Sequence, residues 1–202
     1  NNFLLARDIL KKYNKNIVRF FLLSAHYRSP LDFTEENVGN AVKGFSELGN
    51  TLYRVAGMLS KPLDAFSGTP DNNLAEKGKA LEAKFVAAMD DDFNTALAIA
   101  GLFDYANEIK NTIKKKEWVL SYDNREALKA AGERLSALSA ILGFKIEAEK
   151  IPAEIEALAL ERETARNTKD WAKSDLIRKT MEEKGFAVED TPKGQIILRK
   201  IQ

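Results

Sequence analysis

The residues best placed to do chemistry lie in the stretch "ARNTKDWAKSDLIRKTMEEKGF", Ala165 to Phe186. Wound as a helix at 100° per residue with Trp171 at zero, Asp170–Lys184 puts Asp175, Arg178 and Glu182 within roughly 40° of the tryptophan. Ala172, Leu176, Ile177, Thr180 and Met181 fall between roughly 100° and 280°, the arc expected to be buried. The tryptophan is therefore expected on the charged face, with Arg166 just before the helix and Asp190 beyond it in "EDTPKG". An exposed indole offers a stacking plate, a carboxylate accepts from amino and imino groups, and a guanidinium fork donates or stacks. Together these groups suit single-stranded bases, which are recognised by stacking and by their edges. The alternative is that Trp171 packs against a neighbouring domain while the charges form surface ion pairs.

Other constellations are weaker. His26 is the only histidine and there is no cysteine, so thiol chemistry and disulfides are excluded and a triad would have to use His26, which no partner pattern surrounds. It is expected to be a structural or surface residue. Asp90-Asp91-Asp92 suggests a helix cap before a metal site, because consecutive residues at a helix start do not converge on one ion. Lys114-Lys115-Lys116 complements a helix C-terminus. No glycine-rich phosphate loop follows a strand, and no catalytic site is expected.

The elements that must position these groups are mostly helical. With 202 residues, 45% apolar and 30% charged, the chain can bury a core. "FLLARDILKKY" and "NIVRFFLLSAHY" read as two opening helices, the second ended by Ser29-Pro30. A long helix follows, capped by a box of Asp32 and Glu35, with Val38, Ala41, Val42, Phe45, Leu48, Leu52, Val55, Ala56 and Leu59 as its apolar positions. Its glycines, Gly39, Gly44, Gly49 and Gly57, imply close packing against another helix. Pro62 stops it and "SGTPDNN" is a loop. Further helices are expected over Leu74–Met89, after Asp91 or Asp92 with a stripe of Phe93, Ala96, Leu97, Ala100, Phe103, Ala106, Ile109 and Ile113, and over "NREALKAAGERLSALSAILGF". Long amphipathic helices with short connections form an antiparallel bundle. "FKIEAEKIPAE" reads as a linker to two helices, about Ala153–Asn167 and Asp170–Lys184, and to a hairpin in "FAVEDTPKGQIILRK". The fold class is mainly α: opening helices over 1–30, a bundle over 31–148 and a small α+β module over 152–202.

The net charge of +1 is unevenly spread. Residues 1–30 carry six basic side chains against Asp8 alone, a net of +5, whereas 151–202 carry ten of each sign. A basic opening suggests a polyanion nearby; the alternative is a solvated surface. Lys11, Lys12 and Arg28 are its candidate phosphate contacts.

The C-terminal stretch resembles the last module of bacterial cysteinyl-tRNA synthetases, class I ligases that attach cysteine to tRNA. The pattern is carried by Arg166, Lys169-Asp170-Trp171, Asp175, Ile177-Arg178 and Gly185 to Gly194. "MDDDFNTALAI" resembles that family's signature in its helical anticodon-binding bundle, and "VRFFLLSAHYRSPLDFTEE" the segment after its KMSKS loop. The resemblance covers essentially the whole chain. The family usually ends in G-x-x-W; here Ile197 stands near the tryptophan position and is expected to pack against the module. The HIGH motif, the cysteine-ligating zinc site and the KMSKS lysines are absent, so "NNFLLARD" reads as beginning directly after that loop.

The resemblance implies a tRNA-Cys-binding C-terminal fragment, inactive by itself, of an ATP-dependent cysteine–tRNA ligase. Trp171 would stack on a base of the GCA anticodon, with Arg166, Asp175, Arg178 and Asp190 on base edges and Lys11, Lys12 and Arg28 on the stem. It implies zinc and ATP with magnesium for the parent enzyme and no cofactor in this fragment, a monomer in the cytoplasm, and neither DNA nor membrane as partner. Two alternatives are a helical protein-interaction bundle and part of a mycothiol-pathway cysteine ligase, against which the "EDTPKG" module argues.

Overall fold

A computed structural model describes residues 5–64, 73–146, 148 and 150–199. Among them are eight helices and two strands: α1 (Ala6–Lys12), α2 (Lys15–Leu23), α3 (Glu35–Leu59), α4 (Asn73–Asp90), α5 (Thr95–Lys114), α6 (Tyr122–Ile141), α7 (Ala153–Asn167), α8 (Trp171–Glu183), β1 (Phe186–Thr191) and β2 (Gly194–Arg199). The chain is mainly α with a terminal hairpin, as its periodicity implies. Residues 67–72 of the expected "SGTPDNN" loop lie outside the described residues.

Helices α3 to α6 pack together as the bundle, and α2 lies on it through Phe20, whose ring centre is 6.0 Å from those of Phe45 and Phe103 and 5.5 Å from that of Phe144. Helix α2 stops at Leu23, well short of Pro30, and buries Ile17, Phe20 and Phe21 while Leu22 faces solvent. The expected linker is anchored at its start, because Phe144 and Ile146 are both buried in the main core.

Several local expectations give way to tertiary geometry. Thr34, not a box of Asp32 and Glu35, caps α3 by accepting from the Asn37 amide at 3.1 Å. Glu35 is already the first helical residue, and Asp32 lies two residues upstream of the cap. Asn94, not Asp91 or Asp92, caps α5. The aspartates occupy a tight turn in which Asp92 and Phe93 adopt φ of 51° and 53°. That turn rotates α5 so that Ala98, Ile99, Leu102 and Tyr105 face inward, leaving Phe93 and Leu97 exposed.

The largest departure is on α3. Its residues Thr51 to Val55 are buried without a break, so the helix is enclosed on two sides there. The bundle covers one side and β2 covers the other. Gly57 permits that approach: a Cβ there would stand 2.8 Å from Ile196 Cγ2. The close packing at Gly57 is against a strand, whereas Gly44 does face other helices, where a Cβ would stand 3.2 Å from Phe103 of α5 and from Phe20 of α2.

The hairpin has two apolar faces, as the two-residue period of a strand allows. Register pairs Ala187 with Leu198, Val188 with Ile197, Glu189 with Ile196 and Asp190 with Gln195. Ile196 and Leu198 join the bundle core with Ala187. Phe186, Val188 and Ile197 pack instead with Ile155, Ala159, Ile177 and Met181 of α7 and α8. Ile197 thus fills the module as expected.

Candidate nucleic-acid interface

The module brings its chemistry together at the turn between α7 and α8. Pro152 begins α7, and Thr168 ends it. Lys169 takes a φ of 60°, which reverses the chain, and Asp170 then caps α8 by accepting from the Lys173 amide at 3.0 Å. Arg166, in the last turn of α7, thereby meets Trp171, the first residue of α8: the guanidinium carbon lies 5.8 Å from the indole centre.

Trp171 is 56% exposed, as its helical position implies. The buried strip of α8 is narrower than expected and consists of Ser174, Ile177 and Met181. Leu176, expected in the core, is 65% exposed. Among the described residues helix α8 packs chiefly on α7 and on β1, so a strip of three residues suffices.

Asp190 arrives from β1 on the side facing α7. Arg162 Nη1 donates to its Oδ1 at 2.9 Å and Arg162 Nη2 to its Oδ2 at 3.0 Å, while Arg166 Nη1 lies 3.5 Å from Oδ2. Arg162's hydrogen bonds hold the Asp190 carboxyl below the usual carboxylate range; partial burial opposes this, and the charges of Arg162, Arg166 and Arg178 reinforce it. An ionised carboxylate there is an acceptor only. Its side chain is 46% exposed and borders a recess of about 130 Å³ that Arg166, Asn167 and Gln195 also line.

Arg166, Trp171 and Asp190 are therefore joined directly. Arg178 joins through its charge, and its Nε lies 3.4 Å from Glu182. Asp175 is exposed on the tryptophan side of α8, and among the described residues no hydrogen bond or ion pair engages its side chain. Arg162 and Gln195 belong to the site but were not singled out in the sequence. The signal for Arg162 was its spacing, four residues before Arg166 on one helix face; Gln195 is revealed only by the register.

The opening segment is less open than its +5 charge implies. Lys11 pairs with Asp8 at 2.9 Å, and Lys12 donates to Glu35. Arg28 lies 3.4 Å from Asp92 and 5.2 Å from the centre of the Tyr27 ring. Arg19 donates to the Gly143 carbonyl at 2.6 Å, closing the end of α6. His26 stacks on Tyr27 with ring centres 4.8 Å apart, a structural use.

The zinc that the resemblance implies for a parent enzyme does not fit these residues. The chain has no cysteine, and among the described residues no three of His, Cys, Asp and Glu converge on a point. No helix of the described residues is long and apolar enough to cross a membrane.

Three family models match the chain. Residues 1–43 match the tRNA synthetases class I (C) catalytic domain, 84–147 the DALR domain, and 148–197 the cysteinyl-tRNA ligase anticodon binding domain. Among curated proteins, a cysteine–tRNA ligase of Shouchella clausii is 36% identical over 196 residues, covering 96% of this chain and 40% of the relative. One from Escherichia fergusonii is 39% identical over 212 residues, covering 98% and 41%. The chain spans about two fifths of the length of the curated relatives it matches.

Proposed function

We propose, for a chain that belongs with the C-terminal part of the cysteine–tRNA ligase family, that residues 152–202 bind tRNA and read its anticodon, GCA, as exposed bases. The observation that carries this reading is Trp171. Its half-exposed indole lies outside both hydrophobic clusters and meets the guanidinium of Arg166, which also borders the recess edged by Asp190. A base stacked there would gain roughly 1–3 kcal/mol. Asp175 and Asp190 would accept from base amino or imino groups, and Arg166 and Arg178 would donate to base acceptors. The bundle, 31–148, holds the module through β2.

Residues 1–30 would lie along the tRNA stem. Lys11, Lys12 and Arg28 would exchange their exposed ion pairs for phosphates, a small cost because such pairs contribute little. The whole ligase would attach cysteine to tRNA-Cys with ATP, and this chain would supply tRNA recognition.

The test is titration of the chain with an anticodon stem-loop carrying GCA and with loops changed at single bases. Trp171→Ala should weaken binding by roughly 1–3 kcal/mol with no change in melting temperature, because the indole lies off the buried strip. A large drop in melting temperature with unaltered loop preference would instead make Trp171 a packing residue and leave the chain as a protein-interaction bundle.

A further inference from the structure

Arg162 borders the recess, but only 4% of its side chain is exposed and both of its Nη atoms already donate to Asp190 or Gln195, so it offers a ligand less than Arg166 does. Yet it controls the group the ligand would meet. Its Nη1 serves both Asp190 Oδ1 and, at 3.0 Å, Gln195 Oε1; its Nη2 serves Asp190 Oδ2. Gln195 is itself fixed, its Nε2 donating to the Ala159 carbonyl of α7. A two-point fork sets the plane of a carboxylate, which a single charge does not. Among the described residues Asp190 Oδ1 accepts from Arg162 alone and keeps a second accepting position, whereas Oδ2 also has Arg166 Nη1 3.5 Å away.

As a device for stability alone the arrangement is poor. Arg162 Nε is buried with no partner among the described residues, a cost that an apolar pair of similar size would avoid. The apolar cluster of Ile155, Ala159, Ile177, Met181 and Phe186 already ties α7 to the hairpin.

We infer that Arg162, braced by Gln195, is a positioning residue for anticodon reading: it fixes the Asp190 carboxylate so that its outer edge discriminates one base. This rests on the reading of the module proposed above.

The experiment uses the full chain and four stem-loops, one with GCA and three each changed at one anticodon position. Wild type, Arg162→Lys, Gln195→Met and Asp190→Asn are titrated and melted in parallel. Asp190→Asn should narrow the preference at one position by about tenfold, within the range that one base-edge hydrogen-bonding group supplies. Arg162→Lys keeps the charge but loses the fork. It should narrow the preference at the same position by a similar factor while leaving affinity for the mismatched loop near wild type. Gln195→Met keeps the ion pair and loses the brace, and its narrowing should be smaller.

If Asp190→Asn narrows the preference while Arg162→Lys and Gln195→Met leave it at the wild-type value, Arg162 is a structural residue and the anticodon reading stands. Equal weakening of all four loops by Arg162→Lys would also overturn the positioning role. If Asp190→Asn leaves every preference unchanged and Trp171→Ala, titrated beside it, leaves affinity unchanged, the reading fails and this inference falls with it. Should Arg162→Lys not fold, Gln195→Met decides.

Discussion

Glu189 and Asp190 are neighbours in one strand, and each meets an arginine with almost no exposed side chain, but the two pairs face opposite ways. Glu189 points to the bundle, where Arg54 Nη2 donates to it at 3.1 Å and Arg54 Nη1 donates to Glu47 at 3.1 Å. Lys110 and Lys114 complete the charges at 2.9 and 3.5 Å, and Glu189 is 17% exposed. Asp190 points to α7, where Arg162 holds it, and nearly half of its side chain reaches solvent. The chemistry is the same and the accessibility differs. In this network of two acids and three bases Glu189 is largely covered by Arg54 and Lys114, so it joins strand to bundle. The Asp190 pair keeps an open edge beside an exposed tryptophan, so the same type of ion pair can serve recognition.

The comparison can be broken most severely at Arg54. Arg54→Met removes the centre of the closed network and leaves Glu189 and Glu47 to the two lysines, so unfolding free energy should fall by about 3–5 kcal/mol, measured by urea denaturation. Loop preference of the folded fraction should be unaltered. A changed preference would show that the closed pair also contributes to reading.

Gly57→Ala tests whether docking of the hairpin is as tight as the 2.8 Å approach to Ile196 implies. The added methyl should cost about 1–3 kcal/mol of stability, as overpacking does, by the same denaturation. A stable variant would mean that β2 can shift along α3.

Acid separates the two pairs by degree. Burial by itself would raise the Glu189 carboxyl, but Arg54 and Lys114 more than offset it and hold it below the usual range; Asp190 is lowered chiefly by Arg162. Both folded-state values lie below those of the unfolded chain, whose ordinary values are 4.5 and 3.8. The stability they contribute is present above the unfolded value and is lost as pH falls through the folded one. Denaturation midpoints should be flat near neutral pH and decline below about 4. Glu189→Gln should flatten that decline more than Asp190→Asn, because the Asp190 carboxylate is itself nearly half exposed and screened by solvent.

The smallest effect on the fold is expected from the fully exposed pairs. Lys11→Ala with Lys12→Ala should leave the melting temperature unchanged. If these lysines meet phosphates, the slope of log affinity against log salt should flatten by about one for each phosphate no longer neutralised, without a change in preferred loop. An unchanged slope would place the phosphate-binding groups elsewhere in residues 1–30.

The sequence was informative where a signal is local. Helix α7 runs over Ala153–Asn167 as its periodicity and Pro152 imply, and the turn residues of "EDTPKG" mark the hairpin. The exposure of Trp171 followed from helical angle alone, because Asp175, Arg178 and Glu182 mark its side of α8 as the wet one. What failed were the apolar positions whose partner lay elsewhere in the chain. Leu97 and Leu176 are on plausible apolar arcs, yet the elements beside them leave both exposed. Tyr53 and Arg54 fall outside the apolar positions read on α3, yet both are buried where the hairpin docks.

Residue type and spacing therefore determined which elements form and which groups share a helix face, since both depend on contacts a few residues apart. Only the tertiary structure decided that one strand would turn Glu189 into a sealed joint and Asp190 toward an open recess. That choice depends on which surfaces cover the two faces of the hairpin. Those surfaces come from α3, more than a hundred residues earlier, and from α7, and no local pattern records how closely they approach.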